Sequence, residues 1–117
     1  MTFEPFDVVV VPFPFTDRPV TRRRPALVLS SAMFMAAHEQ SILTMITSSR
    51  GQQWPSDVAI QDWDEAHLNV PSRVRFKLFT IDNDLVVRRL GRLSERDSDA
   101  VATALVQSLV LDARTDR

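Results

Sequence analysis

Acid-base chemistry at neutral pH falls first to histidine, and this chain has two, His38 and His67. Neither stands at a spacing that pairs it with a nucleophile or a metal partner. His38, in AMFMAAHEQ, reads as a surface residue of a short helix or loop. The stretch DWDEAH, from Asp62 to His67, gathers carboxylates and an imidazole, but its spacing matches no zinc motif. It reads as an acidic loop anchored by Trp63. With no Cys there is no thiol nucleophile, disulfide frame or Cys-based zinc site. Gly51 and Gly91, the only glycines, cannot make a P-loop, a dinucleotide fingerprint or a Ser-centred nucleophile elbow. No metal or cofactor is expected.

Arginine remains. All but Lys77 of the 14 basic residues are Arg. Residues 18–24 hold Arg18, Arg22, Arg23 and Arg24 with no acid among them, and residues 73–92 hold Arg73, Arg75, Lys77, Arg88, Arg89 and Arg92 against Asp82 and Asp84. A guanidinium is a planar fork of donors that fits phosphate oxygens and stacks on bases. Two such segments fit a nucleic-acid partner, and they also fit solvated strand and loop faces. Arg24 stands just before one apolar run, and Thr47-Ser48-Ser49 just after another. If those two runs are neighbouring strands, Arg24 and Thr47 converge on one phosphate. Otherwise Thr47-Ser48-Ser49 is a turn.

The elements that must position these residues are mostly strands. Asp7 to Val11 is a β-branched run closed by Pro12, and Ala26 to Ser30 is another, opened by Pro25. Ser41 to Thr47 is apolar on both alternating sets, the mark of a central strand. Val74 to Ile81 alternates Val74, Phe76 and Leu78 with Arg75 and Lys77. Asp82-Asn83 then makes a turn, and Leu85 to Leu93 returns antiparallel. Between Gly51 and Ser72 the chain reads as loop around one short strand, Asp57 to Ile60. Ser94 and Asp97 cap a terminal helix in which Val101, Leu105 and Leu109 repeat beside Ala102, Val106 and Val110, opposite Asp99, Thr103 and Gln107. That helix is expected to pack on the sheet. Mainly β structure with a C-terminal α-helix implies a small, strongly bent barrel or half-barrel.

Composition agrees with one domain over residues 1–117: 44% hydrophobic residues and a formal charge of -1. The chain is long enough to bury a core without a disulfide or a metal. Its longest apolar runs, Val8 to Val11 and Pro25 to Leu29, fall far short of the ~20 residues that span a bilayer. The N-terminus lacks the basic region of a secretory signal. A cytoplasmic protein without a membrane partner is expected.

The wording of the sequence adds more. FDVVVVPFPFTD, RRRPALVLS, LTMITSS, NVPSRVRFKLFTID and VVRRLGRLSERD, in this order, resemble the PemK/MazF family of toxins from type II toxin-antitoxin modules. The resemblance covers nearly the whole chain. It implies an SH3-like barrel with a C-terminal helix, a homodimer, and an endoribonuclease that cuts single-stranded RNA in a groove otherwise filled by a cognate antitoxin. The family's catalytic Arg and Thr fall on Arg24 and Thr47. The implied chemistry is metal-independent attack of a ribose 2'-hydroxyl on the adjacent phosphate, leaving a 2',3'-cyclic phosphate and a 5'-hydroxyl. Thr16, Asp17, Arg22, Arg23, Ser48, Arg75 and Lys77 are the implied RNA contacts.

Four departures from the family pattern carry consequences. Phe6 stands where a Gly commonly precedes the first strand, so any tight backbone there must be met otherwise. The Thr16 to Arg23 loop carries Pro19 and extra Arg, implying a stiff, basic lip to the groove. No carboxylate lies between Ser72 and Thr80, which leaves Asp17 the nearest candidate general base by motif. His67-Leu68 replaces Gly-Leu, which suits a left-handed turn. Two other readings stand beside the nuclease. One is a gyrase poison like a sister toxin family of the same barrel, which the charged ending Asp112 to Arg117 disfavours. The other is a barrel that binds RNA without cutting it.

Overall fold

The four-valine run of the first strand belongs to two different cores. Val8 packs with Leu27, Ile46, Val74 and Leu93, whereas Val9 and Val11 pack with Ala26, Val28, Leu43 and Ile81. Successive strand residues point to opposite faces, so both faces of the central sheet are covered. A continuous apolar run is what such a strand requires. In the computed structural model the described residues are 2–13 and 22–111.

Strands β1 (Asp7–Phe13), β2 (Arg22–Val28), β3 (Gln40–Ser48), β4 (Val58–Ala59), β5 (Ser72–Asp82) and β6 (Arg88–Arg92) form one antiparallel sheet in the order β4-β5-β3-β2-β1-β6. It curls into a half-barrel. Helix α1 (Ala32–His38) covers one face through Met35, with Phe3 and Val86 beside it. The loop carrying Ile60, Ala66 and Leu68 covers the other, together with Val101 of helix α2 (Glu95–Ser108). Mainly β structure, the central place of β3 and the closing helix all agree with the sequence.

Three expectations need correction. The return after Asp82-Asn83 does not pair with β5: a 3-10 turn, Asn83–Leu85, carries the chain across, and β6 pairs with β1 instead. The regular alternation expected of β5 breaks, because the register jumps from Thr44↔Leu78 to Met45↔Arg75 and leaves Phe76 and Lys77 as extra residues. Thr44 closes this bulge by donating to the Arg75 carbonyl at 2.5 Å. Leu78, just past the bulge, is exposed. Finally, α2 packs on the sheet only through its first half, since Val106, Leu109 and Val110 are exposed on the single chain.

The start of α2 is fixed by capping. Ser94 Oγ accepts from the Asp97 amide at 3.3 Å, as expected. The buried Asp97 carboxylate turns outward from the helix and accepts from the amides of Gln61 and Asp62 at 2.9 and 2.8 Å. This ties helix to loop. Asp62 in turn accepts from Arg96 and from the Ser94 hydroxyl at 2.6 Å, and those hydrogen bonds, with the Arg96 charge, bring its carboxyl down to about 2. Its folded value lies below the unfolded one, so its stabilising contribution is complete above about pH 4 and is lost as pH falls through about 2. Carboxyl-carbon NMR is expected to place the Asp62 midpoint near 2. Arg96→Ala moves it upward; an unmoved midpoint would show that the pair does not hold the charge.

Candidate active site and nucleic-acid interface

Strand β2 changes character along its length: Arg22, Arg23 and Arg24 are exposed, Pro25 is half-buried, and Ala26 to Val28 are buried. The aliphatic half anchors the strand and the basic half projects from it. Residues β2 and β3 pair antiparallel through Ala26↔Met45, Leu27↔Thr44 and Val28↔Leu43. Continued two residues further, this register sets Arg24 across from Thr47, and residues directly opposite share a face. Both line one groove of about 640 Å³, with Arg23 and Ser48 beside them. Residues distant in sequence thus meet as the strand-neighbour reading requires.

The far wall comes from elsewhere. Arg88 enters from β6, which pairs with β1 through Val10↔Arg88. His67 and Asn69 enter from the loop before β5. The ionisable groups lining the groove are therefore Arg23, Arg24, Arg88 and His67, and no carboxylate lines it among the described residues. Arg22, Arg23, Arg24 and Arg88 have no salt-bridge partner among those residues. A concave surface of uncompensated guanidiniums is suited to a polyanion. Arg88 was visible in sequence only as one member of a basic segment. His67 stood out only as a turn residue, and it does occupy the left-handed region, at φ 63°.

Arg75 and Lys77 stand apart from this groove. Asp57, whose side chain is fully enclosed, accepts from Arg75 Nε and Nη2 at 3.1 and 2.8 Å and from the Trp54 amide at 2.9 Å. Burial pushes the Asp57 carboxyl up, but the Arg75 and Trp54 hydrogen bonds and the charges of Arg75 and Arg73 outweigh it and hold it below the usual carboxylate range. Arg75 and Lys77 also lie 4.8 and 5.2 Å from the Trp54 ring centre, in cation-π contact. Arg73 is structural. It meets Asp57 at 3.2 Å and donates to the carbonyls of Arg50, Gly51 and Gln52 at 3.1 to 3.2 Å, clamping the loop that leaves β3. Arg89 and Arg92 pair with Asp7, and Arg92 also with Glu4. Thr16 and Asp17 lie outside the described residues.

Two other candidate groups stand away from the groove. His38 is exposed at the end of α1 with its ring against Phe34, and Asp62 is committed to Arg96 and Ser94. Phe6 meets the tight backbone directly. It holds φ 70°, its amide donates to Val28 O at 2.7 Å and its carbonyl accepts from the Leu93 amide at 3.0 Å.

The fold and site together define a small, curled antiparallel half-barrel with a C-terminal helix, opening on a cationic groove at the strand ends. The match to known families gives it a place: residues 4–109 match the model of the PemK-like, MazF-like toxins of type II toxin-antitoxin systems, and the chain belongs to that family. Among solved structures it is similar to the MazE-MazF complex of Deinococcus radiodurans (Form-III), with 19% identity, a TM-score of 0.76, and coverage of 96% of this chain and 100% of that one. It is similar too to the Mycobacterium tuberculosis toxin MazF-mt6, with 22% identity, a TM-score of 0.68, and coverage of 92% and 99%. A mycobacterial endoribonuclease in complex with its cognate antitoxin aligns with 17% identity and a TM-score of 0.73 over 96% of this chain and 97% of that one. At these identities the likeness is one of fold. No curated protein sequence matches the chain.

Removing the Asp57 carboxylate leaves Arg73 buried without its counter-ion, which is far more damaging than losing an exposed pair. Asp57→Ala is expected to lower Tm by about 10 °C or more and to speed amide exchange in residues 49–52. A Tm within a degree or two of wild type would show that the carbonyl clamp alone holds Arg73.

Proposed function

We propose that this toxin is an endoribonuclease that cleaves single-stranded RNA in the groove shared by Arg24 and Thr47. The observation that carries the reading is the convergence of these two residues, from different strands, on one concave surface with uncompensated positive charge and no lining carboxylate among the described residues. Family membership and the resemblance of both positions to the family's catalytic pair support it.

RNA brings its own nucleophile. Attack of a 2'-hydroxyl on the neighbouring phosphorus builds negative charge on the non-bridging oxygens of a five-coordinate centre. A guanidinium that stays charged at any working pH stabilises that charge, and the Thr47 hydroxyl donates to a phosphate oxygen. The products are a 2',3'-cyclic phosphate and a 5'-hydroxyl, and no metal takes part. Arg22, Arg23 and Ser48 bind the backbone around the scissile phosphate. Arg75 and Lys77, with Trp54, hold the strand farther along, where a cation-flanked indole offers a base-stacking surface. Thr16 and Asp17 complete the contacts.

The protein works as a homodimer in the cytoplasm and is silenced by a cognate antitoxin. The MazE-MazF assembly of the Deinococcus relative and the antitoxin complex of the mycobacterial one support such a partner. The exposed apolar residues Val106, Leu109, Val110 and Leu111 at the end of the chain's described part offer a surface that association would cover.

Incubation of a long single-stranded RNA with purified protein in EDTA tests the chemistry. Discrete cuts with 5'-hydroxyl ends are expected, and Arg24→Ala and Thr47→Ala are each expected to slow them about 10²–10³-fold. No cutting by folded protein would sink the nuclease reading; topoisomerase inhibition in its place would favour the gyrase-poison reading, and binding alone the non-catalytic one. Salt dependence tests the contacts. Each lost phosphate contact lowers the slope of log K against log salt by about 0.7 for a single strand, so Arg88→Ala and Lys77→Ala are both expected to flatten it while Lys77→Ala still cuts. An unchanged slope removes that residue from the interface.

A further inference from the structure

The loop from Asp62 to Leu68 is wound tightly, with backbone bonds from Ala66 to Asp62, His67 to Asp64 and Leu68 to Trp63 at 3.0 to 3.1 Å. Ala66 and Leu68 are buried. His67 lies between them at φ 63°, and this left-handed residue carries its side chain to the groove rather than the core. The imidazole is also held. Its Nδ1 lies 2.8 Å from the Leu90 carbonyl. A carbonyl only accepts, so Nδ1 carries the proton, and in the neutral ring Nε2 holds the lone pair. Nε2 has no protein partner among the described residues.

Strand β6 is shaped for this contact. Its register with β1 passes from Val8↔Gly91 to Val9↔Arg89, leaving Leu90 as an extra residue, and Leu90 is the residue whose carbonyl receives the imidazole. Gly91 permits the approach: a Cβ there would sit 2.6 Å from Ala66 O and 3.0 Å from His67 Nδ1. A bulge, a glycine and a left-handed histidine together fix one ring against one wall of the groove.

We propose that His67 is the general base of the RNA cleavage, with Nε2 accepting the proton of the attacking 2'-hydroxyl; the proposal rests on the nuclease reading above. The groove's other ionisable lining groups are Arg23, Arg24 and Arg88, and a guanidinium has no proton-accepting site at working pH. Thr47, Ser48, Ser72 and Asn69 do not exchange protons near neutrality. His67 is the one described lining residue whose side chain, an imidazole, belongs to the usual acid-base class. In the step, the 2'-oxygen forms a bond to phosphorus as its proton passes to Nε2, the bond from phosphorus to the 5'-oxygen breaks, and that oxygen takes a proton from water. The imidazolium then returns its proton to solvent. Throughout, Nδ1 keeps its proton and donates it to the Leu90 carbonyl, a bond that becomes charge-assisted when the ring is cationic.

Single-turnover cleavage in EDTA, followed against pH, tests this. The charged groups around the ring are Arg23 and Arg24 of β2, Arg88 of β6, Asp64 and Glu65 of its own turn, and Asp62, Arg96 and Asp97 where the turn meets α2. β1, β3 and β5 add no ionisable side chain to the lining. His67→Asn and His67→Gly both tolerate a positive φ. Each is expected to cut about 10²–10⁴-fold more slowly and to lose the rise in rate with pH that a proton-accepting imidazole gives. Each should bind an RNA carrying a 2'-deoxy residue at the cut site as wild type does. Added imidazole is expected to restore part of the His67→Gly rate. A uniform slowing that leaves the pH rise intact would make His67 a positioning residue and overturn the proposal. So would wild-type rates in both variants while Arg24→Ala is dead, or a pH rise that survives in them and disappears in Asp17→Asn. A wild-type protein that cuts no RNA would overturn both this proposal and the nuclease reading.

Discussion

Burial of the sheet on both faces is the constraint from which the site follows. Val8, Leu27 and Ile46 serve one core while Val9, Val11, Ala26, Val28 and Leu43 serve the other. The middle of β1, β2 and β3 has no solvent-facing side left. A charged group placed there would be desolvated without a partner, at a cost of several kcal/mol. Chemistry must therefore sit where strands run out of cover. β2 shows the boundary within a single element, three exposed arginines followed by three buried aliphatic residues. Rigid strand ends hold Arg24 and Thr47 more firmly than a free loop could, which suits a reaction that depends on charge placed in advance.

The second constraint is conformational. The chain has two glycines, yet four of the described residues occupy positive φ: Phe6, Glu39 and His67 besides Gly51. For a side-chain-bearing residue this costs roughly 1–2 kcal/mol, so local contacts must hold each one. Phe6 is hydrogen-bonded at both its amide and its carbonyl. Glu39 closes α1 through its amide on the Met35 carbonyl at 2.9 Å. His67 is braced by Leu90. Gly91 is used for space, since it faces the Ala66 backbone where no Cβ fits. Three of these left-handed turns are thus held by hydrogen bonding in residues with side chains, while Gly91 is kept for a close approach.

Legibility from sequence tracked how local the cause was. The places of the strands, the Ser94 cap and the left-handed preference at His67 depend on neighbours within a few residues and are as read, whereas strand ends are not: β2 begins at Arg22 and carries Pro25 inside it, and β6 begins only at Arg88. The meeting of Arg24 and Thr47 was legible only as a condition, because it needs β2 beside β3. What pairs with β6 depends on curvature of the whole sheet, and a hairpin with β5 was the local expectation. The bulge at Phe76 and Lys77 shifts the register of β5 against β3 with no marker in its own residues, and the hydroxyl that fastens it, that of Thr44, lies on a neighbouring strand. The apolar stripe of α2 was plain, but periodicity cannot say whether the sheet or another molecule covers it.

The arginines make the same point about chemistry. By composition they are one population, and the two basic segments looked alike. Packing divides them: Arg73 and Arg75 share Asp57, Arg89 and Arg92 share Asp7, and Arg96 takes Asp62. Arg22, Arg23, Arg24, Arg50 and Arg88 remain without an acid among the described residues, and three of these line the groove, although the chain carries slightly more acid than base. Enough carboxylates exist to neutralise them, but none lines the groove among the described residues, and Asp7, Asp57, Asp62 and Asp97 are committed to caps and clamps elsewhere. Like charges gathered on one surface repel, and that repulsion is relieved when a phosphate enters. The cationic groove is thus an incomplete ion-pair network whose missing members belong to the ligand, and each backbone phosphate of a bound strand can supply one.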